Sequence, residues 1–445
     1  MTSTTGFHLN LSLLTPGHFR QAWRLPHVDP LAYLDAGYFR RLAAIAEQAS
    51  IDAVFLGDGP ALGAGIEHAP GTGLDPLVLL AHVSGSTENL GYVITSSTTY
   101  NSPYNLARRF NALDHVTGGR AAVNIVTTGT PAAAANFGLA EHPDRETRYR
   151  RAHEFLAVVT QLWDAWAPDS LIGDKASGRY ADPRRIRTID HRGEFFAVRG
   201  PLPVPAGPQG RPVLVQSGGS EGGLRLAGRF ADVVFTVAQT QAKAIAFRDD
   251  VRARAAAAGR HPDDVKISLG VVVLVAATEA EARRREQALH QTLPLEELAA
   301  GVTAGLGLPA GRFGLDDVIT IGDLPDGPAA AGFSVGFSVS TRALLAEHPR
   351  TPRELVYRSA GGSGHRLLVG SARQVADDLE AWFRAGTADG FTIMPADTAV
   401  DFENFARLVV PLLQQRGLFQ RTYTAPTLRE RFGLPWPHRG RLQPA

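Results

Sequence analysis

Short apolar runs recur along this chain, and most are followed by a stretch whose apolar residues return at helical spacing. The runs are Phe7 to Leu14, Ala53 to Leu56, Leu90 to Ser96, Ala121 to Val126, Pro212 to Gln216, Ala231 to Val237, Lys266 to Val275 and Gly390 to Met394. Helices are predicted over Leu31 to Ala49, Pro76 to Thr87, Pro103 to His115, Asp144 to Trp166, Gly222 to Arg229, Gln241 to Ala258, Arg373 to Ala385 and Phe402 to Gln415. Eight such runs match the strand count of a (β/α)8 TIM barrel. A doubly wound open sheet is the competing topology.

Two spacings are too long for plain crossovers. Residues 168–211 are rich in Gly, Pro and charge, and 278–371 carry clusters such as Leu324-Pro325-Asp326-Gly327-Pro328. Long insertions in compact domains usually serve as lids or subunit contacts. The chain therefore reads as a single barrel domain over 1–423, with insertions after strand 4 and strand 7. The Pro- and Arg-rich tail, 424–445, is expected to pack along the surface or on a partner subunit.

The segment from Gly91 to Thr128 is the most informative. Tyr92 to Ile94 opens into the hydroxyl-rich Thr95-Ser96-Ser97-Thr98-Thr99, Pro103 starts a helix, Gly118-Gly119 ends it, and Ala121 to Val126 forms a second buried strand. Parallel strands joined by a helix make a βαβ unit, and ligands sit just past the carboxyl ends of such strands. Thr95 and Asn124 should therefore be neighbours at a candidate site.

Composition narrows the chemistry. With 44% apolar and 20% charged residues in 445, the chain can bury a sizeable core, and its net charge of +1 with no basic cluster argues against a nucleic-acid surface. The absence of cysteine excludes disulfides, zinc–thiolate sites and cysteine-ligated iron–sulfur clusters. No secretory signal or membrane-length apolar run is evident, so a cytoplasmic protein is the expectation. The scattered histidines show no metal-ligand spacing, so no metal is expected.

Four places could carry chemistry. Gly57-Asp58-Gly59 puts a carboxylate between two glycines at a strand end, which suits a ligand or an ordinary turn cap. Gln216-Ser217-Gly218-Gly219-Ser220-Glu221-Gly222-Gly223 opens a helix, where free N–H groups and the dipole favour phosphate. An ordinary strand-to-helix turn reads the same way. Arg145 and Tyr149, four apart, share a helix face that could clamp phosphate or simply meet solvent. His18 follows the first strand and could face the pocket or only pack. No GxGxxG fingerprint, Walker motif or cysteine nucleophile is present. A barrel with a phosphate site and few protein nucleophiles points to a cofactor doing the hard chemistry.

At this point the residues match a known pattern. Trp23-Arg24, Phe55 to Asp58, Pro103-Tyr104-Asn105-Leu106-Ala107-Arg108, Leu113-Asp114-His115, Gly118-Gly119-Arg120, Asn124 to Thr127 and Arg148-Tyr149 are its first pieces. His191-Arg192-Gly193, Gly200-Pro201-Leu202, Gln216 to Glu221, Asp389-Gly390-Phe391, Pro411-Leu412-Leu413, Arg416 to Phe419 and Thr427 to Glu430 continue it over nearly the whole chain. The chain resembles the bacterial luciferase-like flavin monooxygenases, in the group that holds nitrilotriacetate monooxygenase, dibenzothiophene-sulfone monooxygenase and pristinamycin synthase.

The resemblance implies a luciferase-like TIM barrel that takes reduced FMN (FMNH2) from a separate NAD(P)H-dependent flavin reductase, its transient partner. A flavin hydroperoxide formed with O2 would oxygenate a small organic substrate. It implies flavin contacts at Asp58 and Thr95, with Asn124 beside them, and phosphate contacts at Tyr149, Gly219 and Ser220. Arg145 stands where the group often has histidine, Ser217 where it has alanine, and Gly57 where alanine is usual. Phe55 and Leu56 would wall the substrate pocket, and His18 could steer a proton. A homodimer or homotetramer is the expected assembly. The alternatives are a deazaflavin-dependent oxidoreductase of the same superfamily, a non-catalytic flavin-binding protein and a metal-dependent barrel hydrolase.

Overall fold

A computed structural model describes residues 6–63, 66–71, 73–325, 341–342, 344–361 and 364–437. The strands are β1 (His8–Ser12), β2 (Ala53–Leu56), β3 (Gly91–Ser97), β4 (Ala121–Val126), β5 (Val213–Ser217), β6 (Val233–Thr236), β7 (Lys266–Ala276), β8 (Arg366–Ser371) and β9 (Gly390–Pro395). All except β8 close a parallel ring, β1 to β7 in chain order and then β9, which pairs back with β1. The eight apolar runs are these eight barrel strands. Both faces of each strand are covered, which is why they read as continuous apolar runs.

The helices form the outer layer: α1 (Ala36–Gln48), α2 (Pro76–Ser84), α3 (Pro103–Val116), α4 (Arg145–Trp163), α5 (Glu221–Phe230) and α6 (Gln241–Ala257). α7 (Glu279–Gln291), α8 (Leu295–Gly305), α9 (Pro352–Ala360), α10 (Ala372–Arg384) and α11 (Thr398–Asn404) follow. Local chemistry sets their starts. Asp35, Asp75, Asp144, Ser220 and Thr240 each accept a backbone N–H at a helix N-cap. The helix predicted over Phe402 to Gln415 contains a π-turn at Phe405–Val409 before Val410–Gln415. Pro411 has no N–H to give to the preceding turn, and a local widening accommodates the loss.

Two cores result. The larger lies between the ring and the helices, with Leu9, Leu11, Ile94, Val123 and Phe391 facing Phe39, Phe110, Phe155 and Leu379. The smaller fills the ring itself: Ala53, Val93, Ala122, Val213, Val215 and Val233 pack with Leu428, Phe432 and Leu434. The segment expected along the surface thus enters the amino-terminal opening of the barrel. Leu428 N–H bonds the Gly119 carbonyl, Arg429 pairs with Asp232 at 2.7 Å, and Phe432 meets His8 edge-on at 5.0 Å. A barrel of small inner residues leaves a void at its base, and these side chains fill it. Residues 438–445 lie outside the described part.

The long spacing after β4 holds two short antiparallel ladders, Leu171–Asp174 with Arg179–Ala181 and His191–Arg192 with Ala197–Val198. The spacing after β7 holds α7 to α9 and a strand that the apolar pattern did not predict, β8. Here Asp326, Gly327 and Pro328 of the predicted Gly/Pro cluster lie outside the described residues. β7 pairs with β6 through Leu269, and from Val271 to Ala276 the same edge pairs with β8. β8 therefore stands above β6 at the carboxyl end of the barrel. No described helix is long and apolar enough to cross a membrane.

Candidate active site

Polar side chains replace aliphatic ones as the strands approach the carboxyl end. Side chains alternate along a strand, so Thr95 shares the inward face of β3 with Val93, and Asn124 shares that of β4 with Ala122. The register places Thr95 opposite Asn124, as expected from the βαβ segment. Asn124 Nδ2 donates to Thr95 Oγ1 at 3.0 Å, and Ser217 Oγ of β5 donates to Asn124 Oδ1 at 2.9 Å. Thr128 Oγ1 donates to Ser97 Oγ at 2.7 Å one step further out. Thr95 and Asn124 are 4% and 3% exposed, so the mutual bonds offset a desolvation cost that unpaired groups would bear in full. Asn10, on the inner face of β1 opposite Ala53, keeps its buried Oδ1 without a partner among the described residues.

A second cluster forms where β5 turns into α5. Ser220 caps the helix by accepting the Gly223 N–H, and its hydroxyl lies 2.7 Å from Tyr149 OH of α4. Gly218 holds φ +127, a conformation that side-chain-bearing residues rarely adopt. A Cβ on Gly222 would sit 2.6 Å from the Tyr149 ring, so glycine is needed for the two helices to meet. Two hydroxyls at a helix N-terminus beside an open Gly218-Gly219 turn form a cradle for an anion. Arg145 is exposed one turn before Tyr149 and makes no ion pair among the described residues. Arg148 instead reaches the strand end, donating to the Thr128 carbonyl at 2.6 Å and the Thr127 carbonyl at 3.0 Å.

Aromatic and imidazole rings frame the opposite side. Phe55 lies 5.6 Å from Phe235 of β6, and Phe235 stacks on His365 at 5.5 Å. His365 fits because residue 270 is glycine: a Cβ there would fall 2.4 Å from His365 Nδ1. His18 Nε2 is 3.1 Å from Ser12 Oγ on the inner face of β1. Burial and the nearby His365 lower the His18 pKa to about 3, so the ring is neutral at ordinary pH.

Several expected residues take other places. Leu56 follows Phe55 on the strand and so turns outward, packing at 4% exposure in the core between ring and helices. Of the two, only Phe55 faces the rings that frame the pocket. Asp58 is exposed past the end of β2 and makes no hydrogen bond to Thr95. Partial desolvation and the Asp75 charge hold its carboxyl above the usual range. Sequence reasoning did not single out Ser217, Phe235 or His365 as residues of the site. Strand alternation through β5 and β6 could have found the first two. His365 had no signal, because it precedes the unpredicted strand.

Comparison with known proteins places this geometry. Residues 19–389 match the family model described as luciferase-like monooxygenase. The chain is 39% identical over 441 residues to nitrilotriacetate monooxygenase component A of Aminobacter aminovorans, covering 95% of each chain. It superposes on EDTA monooxygenase from Chelativorans sp. BNC1 with a TM-score of 0.82 and 35% identity, covering 98% of this chain and 100% of that one. A riboflavin lyase, solved with modified FMN and its substrate riboflavin, gives 0.82 at 30% identity, covering 96% of each.

Proposed function

The chain belongs to the luciferase-like monooxygenase family, and we propose that it is the oxygenating component of a two-component system that uses reduced FMN. The observation that carries this reading is the Tyr149–Ser220 hydroxyl pair at the start of α5, a phosphate-sized cradle on the same rim as the Thr95–Asn124–Ser217 chain. The residues fit the cofactor in kind: an anion site, a line of hydrogen-bonding groups beside it, and apolar rings facing them. The orphaned Asn10 Oδ1 adds an acceptor still to be satisfied. Bound reduced FMN supplies the electrons with which dioxygen gives one oxygen atom to a substrate and the other to water.

This chain's own residues do the rest. Tyr149, Ser220 and the Gly218-Gly219 turn hold the phosphate, and Arg145 adds long-range positive charge from the rim. Thr95, Asn124 and Ser217 present fixed dipoles that orient the ring system, with Asp58 at the outer edge. Phe55 and Phe235 exclude water from the reacting face. His18, neutral and backed by Ser12, holds or moves a proton at Nε2. The sequence has no nicotinamide fingerprint, which supports an NAD(P)H-dependent flavin reductase as transient partner.

The test is anaerobic titration of the protein with reduced FMN and, separately, with a reduced deazaflavin coenzyme. Reduced FMN should bind and, with a flavin reductase, NADH and oxygen, support oxygenation of an organic substrate. Binding of the deazaflavin with no binding of reduced FMN would overturn the reading.

A further inference from the structure

A cavity of about 590 Å³ opens from the His365 side of the barrel mouth, between α7, α9 and β8. That volume is typical of sites for organic ligands well above metabolite-fragment size. Gln239 donates to the Gly364 carbonyl at its base, and His365 there is the ring that stacks on Phe235. The cavity therefore shares a wall with the rings that face the proposed flavin site.

Its lining is divided. Leu344, Leu355, Leu367 and Val369 supply an apolar side. The charges are almost fully compensated within the wall. Arg283 lies 3.0 Å from Glu286, and Arg366 lies 2.7 Å from Asp378 with its guanidinium 3.5 Å above the Trp382 ring. Glu279 accepts from Gln374 at 2.8 Å and lies 3.8 Å from Arg283. Arg358 alone among these arginines has no carboxylate partner among the described residues, and it is exposed at the rim. Its guanidinium can take one anionic group. A second carboxylate would meet Glu279, Glu286 or Asp378 with no further uncommitted arginine among the described residues of the wall to answer it.

We infer that the substrate is an apolar organic acid with a single carboxylate, its body in this cavity, its carboxylate on Arg358 and its reacting end at His365. This rests on the monooxygenase reading and narrows it: polyanionic substrates do not fit this wall.

Calorimetric titration of the flavin-free protein with decanoate, decyl alcohol and decanedioate tests the inference. Decanoate should bind about 10-fold or more tighter than either of the others, the scale of one charge-assisted hydrogen bond. Arg358→Gln should bring decanoate down to the level of the alcohol. Val369→Trp, which fills the cavity, should weaken all three ligands. Reduced FMN affinity is measured on each variant and should stay unchanged, which also verifies folding. Decanedioate binding as tightly as decanoate, or an unaltered decanoate affinity in Arg358→Gln, would overturn the inference. Failure of reduced FMN to bind the wild-type protein would instead overturn the cofactor reading.

Discussion

Ser220 meets three demands with one hydroxyl: it caps α5, it lies against Tyr149 OH, and it fronts the cradle assigned to phosphate. Tyr149→Phe removes one hydroxyl without removing the ring that packs on Gly222. It should weaken reduced FMN by about 1–2 kcal/mol, read as a change in dissociation constant, with little change in thermal stability. An unchanged constant would remove Tyr149 from the site. His18 makes a different prediction. Its folded pKa is lowered, from 6.5 to about 3, so between those values the unfolded chain binds more protons than the folded one. Stability conferred by the neutral ring is complete above pH 6.5 and is lost as pH falls toward 3. Urea denaturation across that window should show a shallower acid loss in His18→Gln than in wild type. The sequence showed His18 as a loop histidine after a strand. It could not show His365, the neighbour that deepens the shift, because more than 340 residues separate them.

Among the elements, the barrel strands were legible because burial on both faces makes them unbroken apolar runs. β8 was not. Its residues from Arg366 to Val369 are only half-buried, and it sits in an insertion whose glycines and charges read as loop. Its position above β6 follows from β7 being long enough to serve two partners on one edge, which is visible only in three dimensions. The approach of α4 to α5 is likewise a contact rather than a pattern. Gly222→Ala should favour the helix by about 1 kcal/mol through lower chain entropy, yet drive a methyl into the Tyr149 ring. Overpacking costs about 1–3 kcal/mol, so the net effect should be destabilising, with FMN binding weakened as Tyr149 is displaced. Denaturation and flavin titration on the same variant check both halves. A more stable variant with unchanged flavin affinity would show that the helices do not meet as described.

At the scale of the whole molecule, the ring is open for chemistry at its carboxyl end and filled at the other by residues that follow the last outer helix. Thr427 to Glu430 was legible as a family signature, but its place inside the barrel was not. A Pro- and Arg-rich composition reads as surface, yet Leu428, Phe432 and Leu434 pack inside the barrel and Arg429 and Arg431 are buried beside them. Phe432 is 2% exposed, and Phe432→Ala should cost about 3–5 kcal/mol, seen as a lower melting temperature. A loss below about 1 kcal/mol would place this segment on the surface after all. The proposed activity depends on one arrangement, a phosphate cradle at α5 serving a flavin beside the β3–β5 polar chain. The most direct measurement compares reduced FMN with reduced riboflavin, which lacks the phosphate, on wild-type protein and Ser220→Ala under anaerobic conditions. With the cradle as described, wild type prefers FMN, and Ser220→Ala loses about 1.5–3 kcal/mol of FMN binding while riboflavin affinity stays the same. Equal affinity for the two flavins in wild type, or FMN binding that ignores the substitution, would contradict it.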